Sequence, residues 1–198
     1  MNKAVLFDLD GVLVDACDWH YEALNRALRD VAGYEILRQD HDSIYNGLPT
    51  RVKLHMLAEE GIIHENEFDK IENLKQEATL AVIEELCVLD YSKISLMSSL
   101  RDRGYRIGCV TNSIQKTAKR MLRNSGVLPF INCLISNQDI SNSKPHPEGY
   151  ITAMVILNSP PSNTIIVEDS EKGLQAARQT GAKVVQVKNA KEVTRDLI

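Results

Sequence analysis

The period of apolar and polar positions changes twice along the chain. Lys3 to Phe7 (Lys-Ala-Val-Leu-Phe) ends in a continuous apolar run without alternation, the pattern of a strand buried on both faces. From Asp18 the period becomes helical. Leu24, Ala27, Leu28 and Val31 recur at i, i+3, i+4, i+7, and Gly33 ends the segment. Pro49 opens a second helix carrying Val52, Leu54, Leu57 and Ala58, stopped by Gly61. A longer helix is expected from about Glu65 to Leu86, with Phe68, Ile71, Ala78 and Val82 on one face. Residues 15–86 therefore read as all-helical. Within them, Asp40-His41-Asp42 mixes carboxylates and an imidazole in a metal-like way, but its polar surroundings read as a solvated loop.

After Asp90 the pattern changes again. Ser92 to Arg103 reads as a helix with Gly104 as its stop. Strand and helix then alternate through Tyr105–Val110, Ile114–Asn124, Asn132–Ile135, Pro147–Leu157, Thr164–Val167, Glu171–Thr180 and Lys183–Val187. Such alternation implies a parallel sheet with helices on both faces. The expected fold is α/β, a Rossmann-like parallel sheet core built from 1–14 and 87–198. An all-helical domain, 15–86, is inserted after the first strand.

Composition removes several function classes. The chain has 198 residues and a net charge of −4, from 23 basic and 27 acidic side chains. No Lys/Arg run forms a basic patch and aromatics are few, so nucleic acid is not an expected partner. Cys17, Cys87, Cys109 and Cys133 fit no zinc or redox spacing. Cys109 and Cys133 lie in apolar runs as small core residues, a usage that suits a reducing cytoplasm. No apolar run nears the ~18 residues of a membrane span, and Met1-Asn2-Lys3 leads straight into a strand. A soluble cytoplasmic protein is expected, without a membrane partner and with no protein partner readable.

Four strand-like runs are each followed by polar, chemically useful residues. Phe7 precedes Asp8 and Asp10. Val110 precedes Thr111, Asn112 and Ser113. Ile135 precedes Ser136 and, further on, Lys144. Val167 precedes Glu168, Asp169 and Ser170. In an open parallel sheet, ligands bind at the carboxyl ends of the strands. Taken singly, Ser113 and Ser170 read as helix N-caps and Lys144 as a surface lysine. Asp8 and Asp10 alone read equally as a polar turn. Their gathering at one edge points to chemistry.

Asp8 and Asp169, from two strands, would offer carboxylate oxygens to one cation, and such a partly open oxygen site suits Mg²⁺. A lysine and a hydroxyl opposite would hold phosphoryl oxygens, the positioning that phosphoryl transfer depends on. Asp8 with Asp10 two residues on would split the reaction into two steps through an aspartyl phosphate. No Gly-rich nucleotide loop and no zinc-protease histidine pair is present.

The ordered motifs Asp-Leu-Asp-Gly-Val-Leu-Val-Asp, Val-Thr-Asn-Ser, Ser-Lys-Pro-His-Pro-Glu and Ile-Val-Glu-Asp-Ser-x-x-Gly resemble those of the haloacid dehalogenase superfamily. Gly47-Leu48-Pro49-Thr50-Arg51 is similar to a cap segment of its phosphatase and phosphomutase branch. The resemblance implies a helical cap after the first strand. It implies Asp8 as nucleophile and Asp10 as general acid/base. Thr111, with the Asn112 backbone, would hold phosphoryl oxygens, and Lys144 would pair with the phosphate and the nucleophile. Asp8, the Asp10 carbonyl and Asp169 would hold Mg²⁺, with Glu168 a further ligand. His20 and Arg51 of the cap would contact substrate.

The expected function is a Mg²⁺-dependent phosphatase of a small phosphorylated metabolite. Two alternatives stay open: a sugar phosphomutase on the same core, and a non-catalytic binding protein. Ala16 stands where the mutase branch usually has a hydroxyl residue, which favours the phosphatase.

Overall fold

The computed structural model describes residues 2–45 and 48–198. Gly47 of the cap-like segment lies outside the described residues. The chain begins with strand β1 (Lys3–Phe7), followed by helices α1 (Cys17–Ala32), α2 (Arg38–Asp40), α3 (Thr50–Glu59), α4 (Phe68–Leu86) and α5 (Tyr91–Asp102). It then alternates: β2 (Tyr105–Val110), α6 (Gln115–Asn124), β3 (Cys133–Ile135), α7 (Glu148–Ile156), β4 (Thr164–Glu168), α8 (Glu171–Arg178) and β5 (Lys183–Gln186). The elements form two compact units, Cys17–Leu86 and the remainder.

The larger unit is a five-stranded sheet in the order β3-β2-β1-β4-β5, with every pair parallel. This is the α/β sheet the alternation predicts. β1 sits at the centre because its side chains are apolar on both faces. Ala4, Val5, Leu6 and Phe7 are all fully buried. Leu6 pairs with Gly108 of β2 on one side and Ile166 of β4 on the other. A Cβ at Gly108 would press on the Leu6 side chain, so a glycine keeps β1 and β2 in register there. The strand order reverses between β1 and β4, and that switch point is where open α/β sheets bind ligands.

In the smaller unit α1 packs along α4 around Leu24, Leu28, Leu54, Leu57, Phe68 and Ile71. Buried Asn25 ties the loop after α1 by donating to the Ile36 carbonyl at 3.1 Å and accepting its N–H at 3.0 Å. The expected long helix from Glu65 starts instead as a tight turn, Glu65–Glu67, before α4. There the Glu67 carboxylate accepts the His64 N–H at 2.7 Å.

The loop expected at Asp40-His41-Asp42 is corrected. α2 runs into a π-helical turn, His41–Tyr45, with His41 buried. Arg38 bridges Asp18 at 2.6 Å and Asp42 at 3.0 Å, while the His41 ring packs 4.7 Å from Tyr21. Those contacts make helix of a segment whose composition reads as solvated. Burial and the nearby Lys53 charge hold the His41 imidazole below its ordinary pKa. Among the described residues no helix is long and apolar enough to cross a membrane.

Candidate active site

The site is assembled at the carboxyl ends of β1, β2 and β4. Asp8 follows β1, and its N–H donates to the Val167 carbonyl at 3.0 Å, fastening that end to β4. The Asp8 side chain is buried and meets a buried ammonium. Lys144 Nζ donates to Asp8 Oδ1 at 2.6 Å and to Glu168 Oε1 at 2.5 Å. Tyr150 Oη, on α7, donates to the same Glu168 oxygen at 2.7 Å, and its ring centroid lies 4.9 Å from the ammonium. Glu168 Oε2 accepts the N–H groups of Asp169 and Ser170 at 3.0 and 3.2 Å, and the Ser170 hydroxyl at 3.2 Å. Glu168 is fully buried, yet both its oxygens are satisfied.

The charges do not balance. Asp8, Glu168 and Asp169 bring oxygens within 4.8 Å of one another. Three carboxylates facing one ammonium leave two negative charges uncompensated, before Asp10 is counted. The effect is visible in the acids. Burial first, then the Glu168 charge, pushes Asp169 up to about 6. Burial, with repulsion from Glu168 and Asp10, raises Asp8 well above the carboxylate range against the pull of Lys144. Burial works against the Lys144 charge, but Asp8, Tyr150 and Glu168 outweigh it and hold the ammonium protonated. Asp169 Oδ1 is also a buried acceptor without a hydrogen-bond partner among the described residues. A hard divalent cation fits this donor set in charge and in ligand type.

The turn after β1 brings Asp10 to the end of β2. Gly11 has φ +87°, and a Cβ on it would overlap the Asp169 carboxylate, so the turn needs glycine on both counts. The Gly11 N–H closes the turn on the Val14 carbonyl at 2.7 Å. Asp10 Oδ2 accepts from Ser113 Oγ at 3.0 Å and Thr111 Oγ1 at 3.4 Å. The Asn112 side chain accepts the Lys144 N–H at 3.1 Å, linking the β2 loop to the lysine loop.

Seven of the residues singled out from the sequence thus share one sheet edge: Asp8, Asp10, Thr111, Asn112, Lys144, Glu168 and Asp169. His20 and Arg51 stand in the smaller unit, on α1 and α3. Arg51 is exposed and held by Asp69 at 2.7 Å and Glu72 at 2.8 Å. Two simpler readings of polar residues are corrected. Lys144 is no surface lysine, because its ammonium is drawn into the carboxylates. Ser113 is no cap, because Ile114 occupies the N-cap of α6. Ser170 does cap α8, accepting the Gly173 N–H at 3.1 Å. Tyr150 went unnoticed in the sequence, where Gly173 stands only as the last residue of the Ile-Val-Glu-Asp-Ser-x-x-Gly motif, without a role. The one available signal for Tyr150 was a phenol in a mostly apolar helix.

A profile described as haloacid dehalogenase-like hydrolase matches residues 5–187. The chain belongs to the haloacid dehalogenase-like hydrolase family. Within the family it is similar to the "Phosphorylated carbohydrates phosphatase" of Thermotoga maritima, 28% identical over 90% of this chain and 82% of the relative. It is also similar to the "Validoxylamine A 7'-phosphate phosphatase" of Streptomyces hygroscopicus subsp. limoneus, 30% identical over 91% of this chain and 83% of the relative. The crystal structure of a β-phosphoglucomutase from Clostridium difficile has the same fold. It superposes with a TM-score of 0.80 at 22% identity, over 98% of this chain and 94% of that one.

Proposed function

We propose that this haloacid dehalogenase-like hydrolase is a Mg²⁺-dependent phosphatase acting on a small phosphorylated metabolite through a phosphoryl intermediate on Asp8. One observation carries the reading: the buried Asp8 carboxylate, held at 2.6 Å by Lys144 and clustered with Asp169, has Asp10 two residues on. The relatives named as phosphatases, at 28% and 30% identity, support hydrolysis of a phosphate ester and a carbohydrate-like substrate. A cytoplasmic setting belongs to this reading, and the free thiols of Cys87, Cys109 and Cys133 support it.

In the first step Asp8 attacks phosphorus and the ester P–O bond breaks, while the leaving oxygen takes a proton from the Asp10 carboxyl. In the second, water attacks the phosphorus of the aspartyl phosphate and passes a proton to Asp10. The bond to Asp8 breaks, and inorganic phosphate leaves. Thr111, with the Asn112 backbone, would hold phosphoryl oxygens. Lys144 would pair with the transferring group and keep Asp8 aimed. Asp8, the Asp10 carbonyl and Asp169 would hold Mg²⁺. Glu168, its oxygens already taken by five donors, would add mainly charge. When bound, the ion supplies charge neutralisation on the phosphoryl oxygens.

The Cys17–Leu86 unit is the cap in this reading, with His20 and Arg51 as its substrate contacts. Arg51 is shared by Asp69 and Glu72 in this structure, and a substrate contact would exchange these exposed, weak ion pairs for one to the substrate.

The test supplies an aryl phosphate with Mg²⁺ or with EDTA. Phosphate release that EDTA abolishes is the expected result, and no release in either condition points to a binding protein. β-Glucose 1-phosphate with a trace of the 1,6-bisphosphate then separates the two chemistries. Isomerisation to glucose 6-phosphate with little free phosphate would replace the phosphatase with the mutase.

A further inference from the structure

We propose that Ser113 is a positioning residue for the Asp10 carboxyl, fixing which of its oxygens exchanges a proton with the leaving group and with water. The inference rests on the acid/base role proposed for Asp10. Three observations at the end of β2 carry it. Ser113 Oγ donates to Asp10 Oδ2 at 3.0 Å, a link between residues 103 positions apart. The Thr111 hydroxyl accepts the Ser113 N–H at 3.0 Å, so its own proton is aimed elsewhere, and it lies 3.4 Å from the same Asp10 oxygen. Finally, the Ser113 backbone is itself anchored, its carbonyl accepting the Asn137 N–H at 3.3 Å. Both hydroxyls thus converge on Oδ2 from a loop held by hydrogen bonds to its neighbours.

The consequence is directional. A carboxyl group on a turn rotates about its last bond unless something selects a rotamer. With Oδ2 held by the Ser113 hydroxyl while the Thr111 hydroxyl turns to the phosphoryl group, Oδ1 is the oxygen that delivers a proton to the leaving oxygen as the P–O bond breaks. It is also the oxygen that removes a proton from water in the second step. Ser113 touches neither phosphorus nor the leaving group. It acts only through Asp10.

That indirect role has a signature. A p-nitrophenolate leaves without a proton, whereas an alkoxide needs one. The value of kcat/KM reports the steps through the first phosphoryl transfer. Loss of the Asp10 clamp should therefore lower kcat/KM for an alkyl phosphate and spare that for p-nitrophenyl phosphate. Ser113→Ala removes only the hydroxyl, and both backbone contacts survive.

The experiment measures kcat/KM for p-nitrophenyl phosphate and for glycerol 1-phosphate at saturating Mg²⁺, in the wild type, Ser113→Ala, Ser113→Thr and Asp10→Asn. Ser113→Ala should lose about tenfold on the alkyl ester, the size of one charge-assisted hydrogen bond, and less than about twofold on the aryl ester. Ser113→Thr keeps the hydroxyl and should restore the ratio. The Mg²⁺-dependent rise in thermal midpoint should match the wild type in both Ser113 variants. An equal loss on both esters, or no loss on either, overturns the inference while Asp10→Asn still shows the alkyl-selective defect. If Asp10→Asn itself shows no selectivity, the acid role falls and the Ser113 inference falls with it.

Discussion

A Cβ placed on Gly173 would overlap the carboxylate of Glu168. Gly173 is inside α8 without a positive φ, so contact alone demands glycine there, not backbone strain. The first turn of α8 thereby presses on the acid that anchors Lys144 and Tyr150.

Gly173→Ala should displace Glu168, destabilise the protein by about 2–3 kcal/mol as overpacking does, and lower activity with it. Gly61→Ala is the comparison. Gly61 has φ +73° with nothing within 4 Å of the added Cβ, so its cost is backbone strain of about 1 kcal/mol, with activity retained. Urea denaturation of both variants, alongside phosphate release, checks the pair.

Lys144 is the only cation hydrogen-bonded to Asp8 and Glu168 among the described residues. Lys144→Met leaves two buried carboxylates without it, and breaking such a pair costs about 3–5 kcal/mol. The variant should recover part of that loss on acidification, since protonating the carboxylates removes the uncompensated charge. Urea unfolding at acid and neutral pH measures this. A variant as stable as the wild type at neutral pH would contradict the charge assignment.

Asp169 sets a pH dependence with a definite sign. Its folded-state pKa is raised to about 6 from 3.8. A carboxyl raised on folding contributes stability below its unfolded value, and that contribution is lost as pH rises through the folded one. The metal-free protein should thus lose stability across that window, and Asp169→Asn should flatten the slope. Mg²⁺ favours the ionised form, so the rise in thermal midpoint on adding Mg²⁺ should grow with pH and shrink in Asp169→Ala. An unchanged Mg²⁺ shift in Asp169→Ala would place the metal elsewhere.

Much of this architecture is legible in the sequence, for identifiable reasons. β1, β2 and β4 are apolar on both faces, and each ends abruptly in acids, hydroxyls or an amide. The ends of a parallel sheet's strands converge, so the polar residues at the end of each apolar run, among them Asp8, Thr111 and Glu168, already form a group. The hidden part depends on contacts between positions distant in the chain. Tyr150 meets Glu168 only when α7 packs against the sheet. Ser113 looks like a cap until the β1 turn brings Asp10 to it. His41 has a polar neighbourhood in sequence but a ring and a core beside it in space. Arg51 looks available for substrate in the sequence, and its partners Asp69 and Glu72 lie on another helix.

In the proposed mechanism Asp8 receives the phosphoryl group, and every other role depends on that. Asp8→Asn keeps the shape of the side chain and removes the nucleophile. The decisive measurement is Mg²⁺-dependent phosphate release from a small phosphate monoester by wild type and Asp8→Asn, at matched thermal stability. Uncatalysed hydrolysis is so slow, with enzymatic accelerations up to ~10²¹-fold, that background cannot mask a loss. Turnover by the wild type and none above background by the variant is the expected result. Release by Asp8→Asn at near the wild-type rate would contradict the assignment of Asp8 as nucleophile.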